Sequence, residues 1–244
     1  MSRWIAFWNI LRKDIKTYYL KPPNISWGLI FPFAWMLMFY IRSKTSFDIR
    51  DLLPGVVSMS ILFGTTSMLA VTITFERRSR SFERLLLAPI STNLLMLAKT
   101  GGAILFGMLN AFVPIVVAFF MADLSGILWP AVIGSVLLIA ATSTFLGLFI
   151  SVAVHEVFEA QTFSNFFRFP MLFLCGLFIP ISSLPVFLRP LSYILPLTYG
   201  ADILKTAINQ EGTLPLWMSF PVLLFFAVSL FLYSLRNIKR KWVL

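Results

Sequence analysis

The stretch ILWPAVIGSVLLIAATSTFLGLFISVAV, residues 127–154, contains no Asp, Glu, Lys or Arg. It is longer than the roughly 20 apolar residues that cross about 30 Å of hydrocarbon. Lipid offers no partner for backbone N–H and C=O groups, and the alternation of barrel strands is absent, so such a run must be a helix. Outward from it, comparable stretches lie at about 25–41, 52–74, 98–121, 161–180 and 216–235, each punctuated by charges, Pro or Gly. The pattern predicts an all-α integral membrane protein with six transmembrane helices in a single domain, 1–244. The fifth span holds Arg168 and Pro170, which leaves a short apolar run from Phe169 to Ile179 and predicts a broken or tilted helix.

Composition supports the same class. Hydrophobic residues make up 59% of the chain and charged ones 12%, whereas soluble domains have roughly 45–50% and about 25%. The first residues carry repeated charges rather than an apolar run ending in small residues, which predicts that no signal peptide is removed.

Short-loop Lys and Arg set the expected orientation. Fifteen lie before span one, after span two, in the fourth connection (Arg168) and after span six, against five on the opposite side. Both termini are therefore expected in the cytoplasm. The net charge of +10 is that of a membrane protein facing anionic headgroups; no basic-aromatic pattern calls for nucleic acid. Within the first 20 residues Trp4, Phe7, Trp8, Leu11, Ile15 and Tyr18 recur at helical spacing, with Arg12, Lys13 and Lys16 elsewhere around the helix. An amphipathic helix lying in the interface is expected, separated from span one by Lys21-Pro22-Pro23-Asn24.

Candidate chemistry is sparse. The chain has one His and one Cys and lacks a G-x-x-x-x-G-K-[ST] phosphate loop, so no ATP binding by that route, no catalytic residue and no metal site are predicted. His155 and Glu159 share a helical face, but a third ligand is missing and a hydrated helix end accounts for them with Glu156. Cys175 reads as a small packing residue beside Gly176. Spans two, three, four and six hold no charge in their interiors, which disfavours a proton relay or ion channel. Small residues do recur every four positions, at Ala103, Gly107 and Ala111 and at Ser143, Gly147 and Ser151, which predicts close helix packing within the chain.

Between spans two and three the sequence runs from Phe75 to Ser91, with Glu76, Arg77, Phe82, Glu83, Arg84, Leu85, Leu86 and Pro89. A short amphipathic helix is expected, capped by Ser79 or Ser81 and stopped before Pro89. Phe82, Leu85 and Leu86 supply an apolar edge, and Glu83 and Arg84 a charged one, for a groove on another protein.

This segment resembles the loop of type-2 ABC exporter permeases, E-R-x-x-G-x-x-E-x-L-x-x-x-P-[IV]-S, at Glu76, Arg77, Glu83, Leu85, Pro89, Ile90 and Ser91. Arg80 stands where the family often has Gly, and Arg78 where it is often acidic. A second block, from Cys175-Gly176 through Pro180 and Leu184-Pro185 to Leu195-Pro196-Leu197-Thr198-Tyr199, resembles the family's S-G-x-x-x-P-x-x-x-L-P and L-P-L-T-Y stretches, with Cys in place of Ser. The resemblance covers essentially the whole chain.

It implies that 82–88 is a cytoplasmic coupling helix seated in a separate ABC ATPase subunit, two copies of which bind ATP and Mg, while this chain holds no cofactor. It also implies a second permease subunit, identical or not, and a place in the cytoplasmic membrane. Segments at about 183–190 and 199–209 would be short re-entrant helices, with Gly176, Pro180, Pro185, Pro196, Thr198 and Tyr199 at the exit. The implied function is outward transport of an amphipathic, drug-like or lipid-like substrate. Export of polysaccharide or lipid-linked glycan stays open, as does an ATP-independent channel or scaffold.

Overall fold

The computed structural model describes residues 3–42, 48–87 and 90–243. Lys44, Ala88 and Pro89 lie outside them. All described secondary structure is helical. Helix α1 (Arg3–Asp14) continues into a wide turn over Ile15–Tyr19; α2 (Pro22–Ile25) and a second wide turn over Ser26–Ile30 lead into α3 (Phe31–Arg42). Then follow α4 (Ile49–Arg78), α5 (Ser81–Leu86), α6 (Thr92–Met121), α7 (Trp129–Ala153), α8 (Val157–Leu174), α9 (Arg189–Ile194), α10 (Pro196–Asn209) and α11 (Leu216–Ile238).

Four of these, α4, α6, α7 and α11 extended to Trp242, are long and apolar enough to cross a membrane, and Ser26–Met38 is a shorter apolar helix. Helix α4 is the axis: 94% of its most apolar stretch is buried, against 33% for α6 and 22% for α11. The outer helices turn Leu109, Phe112, Phe120, Phe225 and Leu232 outward, a surface that suits hydrocarbon rather than water.

Local chemistry sets the ends. The Asp48 carboxylate accepts from the Arg50 amide at 2.9 Å and starts α4; the Ser91 hydroxyl accepts from the Leu94 amide at 3.3 Å and starts α6. Proline opens α7 and α10. Both small-residue stripes are buried inside the chain. A Cβ on Gly107 would sit 2.5 Å from Thr65 Cγ2, and one on Gly147 would overlap the Thr66 carbonyl oxygen, so α6 and α7 approach α4 as closely as glycine permits.

Several expected limits move. The second and third spans lengthen at their α5 ends to Arg78 and Thr92, because Glu76 and Lys99 are buried there as partners rather than left in a loop. Within the run expected as a fifth span, 161–180, helix α8 stops at Leu174; it runs unbroken past Pro170, and Gly176 at φ 72 follows its end. Arg168, counted above as a loop cation, is buried within α8. Its Nη1 donates to the Phe63 carbonyl (3.1 Å) and Ser67 Oγ (3.0 Å), its Nη2 to Asn165 Oδ1 (2.5 Å), and the guanidinium lies 4.7 Å from the Phe63 ring centre. Carbonyl, hydroxyl, amide and ring together solvate this cation between α8 and α4.

Candidate functional site

The end of the molecule that carries α5 concentrates the charged chemistry. Helix α4 stops at Arg78, and Arg80 turns the chain with φ 54, the left-handed conformation glycine takes most readily. The Ser79 and Arg80 amides donate back to the carbonyls of Phe75 (2.9 Å) and Arg77 (3.0 Å). Arg80 thus occupies the N-cap of α5 with no side-chain cap. The expected Ser79 or Ser81 cap is not formed; the two hydroxyls bond each other at 2.6 Å.

Helix α5 covers Ser81–Leu86; of the expected 82–88, Ala88 lies outside the described residues. Phe82 is buried at 1% exposure, so it is an anchor and not part of a presented edge. Its neighbours in that apolar cluster include Ile73, Leu95, Leu235 and Ile238. Leu85 and Leu86 are half-buried, and Glu83, Arg84 and Leu87 face outward. Leu87, at 85% exposure, was missed in the sequence because helical spacing assigned the apolar edge to its neighbours.

Behind α5 lies an ion cluster that joins three helices. Lys99 of α6 donates to Asp14 Oδ2 at 3.1 Å and to Glu76 Oε2, and Lys13 donates to Glu76 Oε1 at 2.5 Å and lies 3.3 Å from Asp14 Oδ1. Asp14, Glu76 and Lys99 are fully buried; Lys13 keeps 39% of its side chain in solvent. Burial pulls the Lys13 ammonium down, but the hydrogen bond to Glu76 and the charges of Glu76 and Asp14 outweigh it, holding it above the usual lysine range. Two acids and two cations make a neutral set, the condition under which buried charge is tolerated. Tyr19, also buried, donates to the Lys99 carbonyl at 3.0 Å.

Helix α1 consequently packs on α6 through Ala6, Ile10, Leu11 and Asp14 and leaves Trp4 and Trp8 exposed. The sequence pattern placed Leu11 with the tryptophans on one apolar face; the acid at Asp14 turns the helix so that Leu11 faces protein. Lys13, Asp14 and Lys99 carried no signal in the sequence because their partners on other helices are 23 to 85 residues away.

Arg77 braces the neighbouring helix end, donating from Nη1 to the carbonyls of Ser151 (3.1 Å) and Val154 (3.2 Å). Arg78 pairs with Glu156, and Glu159 accepts from the amides of His155 (2.9 Å) and Glu156 (3.1 Å). This acidic pair therefore starts α8.

The second group of expected site residues sits at the opposite end. Gly176 bends the chain after α8, and its carbonyl accepts from Lys205; Pro180 precedes a tight turn over Ile181–Ser183, and Pro185 accepts from the Leu188 amide at 2.9 Å. The short helices are α9 at Arg189–Ile194 and α10 at Pro196–Asn209, where about 183–190 and 199–209 were expected. Pro196, Thr198 and Tyr199 are buried at the start of α10; Thr198 Oγ1 donates to the Ser192 carbonyl (2.5 Å) and Tyr199 to the Tyr193 carbonyl (2.9 Å). They brace the α9–α10 corner, while Val186, Phe187 and Ile194 stay exposed. Asp202, unnoticed in the sequence, accepts from the Thr213 and Leu214 amides at 2.7 and 3.1 Å and from Ser219 Oγ at 3.3 Å.

These elements define a multi-pass helical membrane protein with a short exposed helix fixed to one end of its central span. Residues 5–209 match the family described as ABC-2 type transporter, and the chain belongs to that family. It is 24% identical over 245 residues, covering 97% of this chain and 96% of the relative, to the inner membrane transport permease YadH of Escherichia coli strain K12, with the same figures for YadH of Shigella flexneri. Permeases of this family typically work with an ATPase subunit.

Proposed function

We propose that this chain is the membrane-spanning permease subunit of an ATP-driven exporter in the inner membrane, working as a dimer of permeases above two ATPase subunits. The chain crosses six times, with Ser26–Met38 and α8 as the first and fifth spans, both termini cytoplasmic and α1 lying in the interface. The ATPase subunits bind ATP and Mg; this chain supplies the path for an amphipathic, drug-like or lipid-like substrate.

One observation carries this reading. Helix α5 packs on the central helix through buried Phe82, which shares an apolar cluster with Ile73, yet presents Glu83, Arg84 and Leu87 outward. A partner that grips those three side chains moves α4, and α4 packs against α6, α7, α8 and α10. At the far end, α9 and α10 dip into the outer leaflet, where irregular backbone is tolerated against protein or a water-filled cavity, and roof the exit.

The test is ATPase activity of the chain co-purified with its ABC ATPase subunit. Glu83→Ala should weaken coupling, and Leu87→Asp should release the ATPase or abolish its stimulation by candidate substrates. Unchanged association and activity in both variants would remove α5 from the coupling path.

A further inference from the structure

The segment after α11 does not trail away from the bundle. It continues α11 as a wide helical turn over Lys239–Val243 that meets α5 through Trp242. Trp242 lies with its ring centre 5.2 Å from that of Phe82, edge to face, and the Arg77 guanidinium stands 4.2 Å over the Trp242 ring. The end of α4, the anchor of α5 and the tail are therefore one packed unit. The tendency of Lys and Arg to stay on the cytoplasmic side explains the charges at Lys239, Arg240 and Lys241, but it does not require this seat for Trp242.

Between α5, the tail and the α7–α8 turn a groove of about 340 Å³ opens. Arg77, Arg78, Lys241 and His155 line it together with the carboxylate of Glu83; Arg78 is paired with Glu156 and Arg77 is held on two carbonyls, so Lys241 is the lining cation left to the groove. Lys239, Arg240 and Lys241 are all exposed. All of these residues lie at or beyond the ends of the spanning helices, so the groove faces the side into which α5 projects rather than the lipid-facing flanks. Its floor of Phe82, Leu86 and Trp242 accepts a hydrophobic side chain, while its rim accepts carboxylates.

We propose that Lys239–Val243 is the second half of the docking surface for the ATPase subunit: with α5 it frames a basic groove that takes an acidic segment of that subunit bearing an apolar side chain. Trp242 is a positioning residue that holds α5 against the groove. This rests on the ATPase-coupling reading above and extends it to a part of the chain distant in sequence.

The experiment measures affinity of the ATPase subunit for the full chain in nanodiscs, across a salt series, in neutral phosphatidylcholine and with anionic phosphatidylglycerol added. Replacing Lys239, Arg240 and Lys241 together by Glu should weaken binding about tenfold or more in both lipids and flatten its salt dependence. Trp242→Ala should weaken binding in both lipids, and Trp242→Phe should restore it, because a phenyl ring keeps the contacts with Arg77 and Phe82. If the triple reversal leaves affinity and salt slope unchanged while Leu87→Asp abolishes binding, the tail is not part of the surface and the coupling helix stands alone. A loss seen only with phosphatidylglycerol means the tail reads lipid and overturns the inference. If the wild-type chain binds no ATPase, the coupling reading fails and this inference falls with it.

Discussion

Helices α5 and α10 are both short, both lie outside the long spans and sit at opposite ends of the bundle, yet they are held in opposite ways. In α10, eleven of fourteen residues are buried, packed on α4, α7 and α11. In α5 only Phe82 is buried. The first is a piece of the core bent to fit the end of the bundle. The second is a handle held at its base: by the turn at Arg80, by Phe82 against the edge-to-face Trp242, and by the end of α4, which the Glu76 ion cluster ties to α1 and α6. A helix that must be gripped from outside keeps its own side chains free and borrows stability from its neighbours.

The sharpest way to break this contrast is to empty the base of α5. Lys99→Met leaves Glu76 and Asp14 buried with only Lys13 between them and should cost about 3–5 kcal/mol, read as lost unfolding stability in detergent. Adding Glu76→Leu should recover most of that loss, because Lys13 and Asp14 still pair and an apolar side chain then faces Met. If the double variant is as unstable as the single one, the cluster is not a balanced set of charges.

At the α10 end the corresponding change is smaller, since apolar burial carries most of the attachment. Asp202→Ala strands the amides of Thr213 and Leu214 and should cost about 2 kcal/mol by the same assay, with transport coupling unchanged at the α5 end. The smallest effect sharpens the handle itself. Arg80→Gly removes the side chain from a left-handed residue and should stabilise the chain by about 1 kcal/mol, seen as a higher melting temperature; a loss would mean that the arginine side chain contributes more than its backbone conformation costs.

Arg80 also shows how far sequence reading reached. The resemblance placed a frequent glycine there, and the positive φ supplies the physical reason for it. The long apolar runs were legible because period and length are local properties of the chain. Glu76, Glu83 and Leu85 were legible as a pattern, but which of them faces outward was not. Phe82 was expected on the presented edge and is buried, because α11 and its tail, more than 150 residues further along the chain, cover that side of α5.

Arg168 is the companion case. Counted as a loop cation from its position between two apolar runs, it is instead solvated inside the bundle by groups of α4 and α8 that lie up to 105 residues from it. The sequence by itself determined the helical class, the number of apolar runs and the small residues that let α6 and α7 close on α4, since each follows from hydrophobicity, spacing or side-chain size within one segment. Only the tertiary structure decided which charges are paired, which face of α1 meets protein and what stands behind α5, because a buried charge is stable only where the fold delivers a partner, and no segment carries its own.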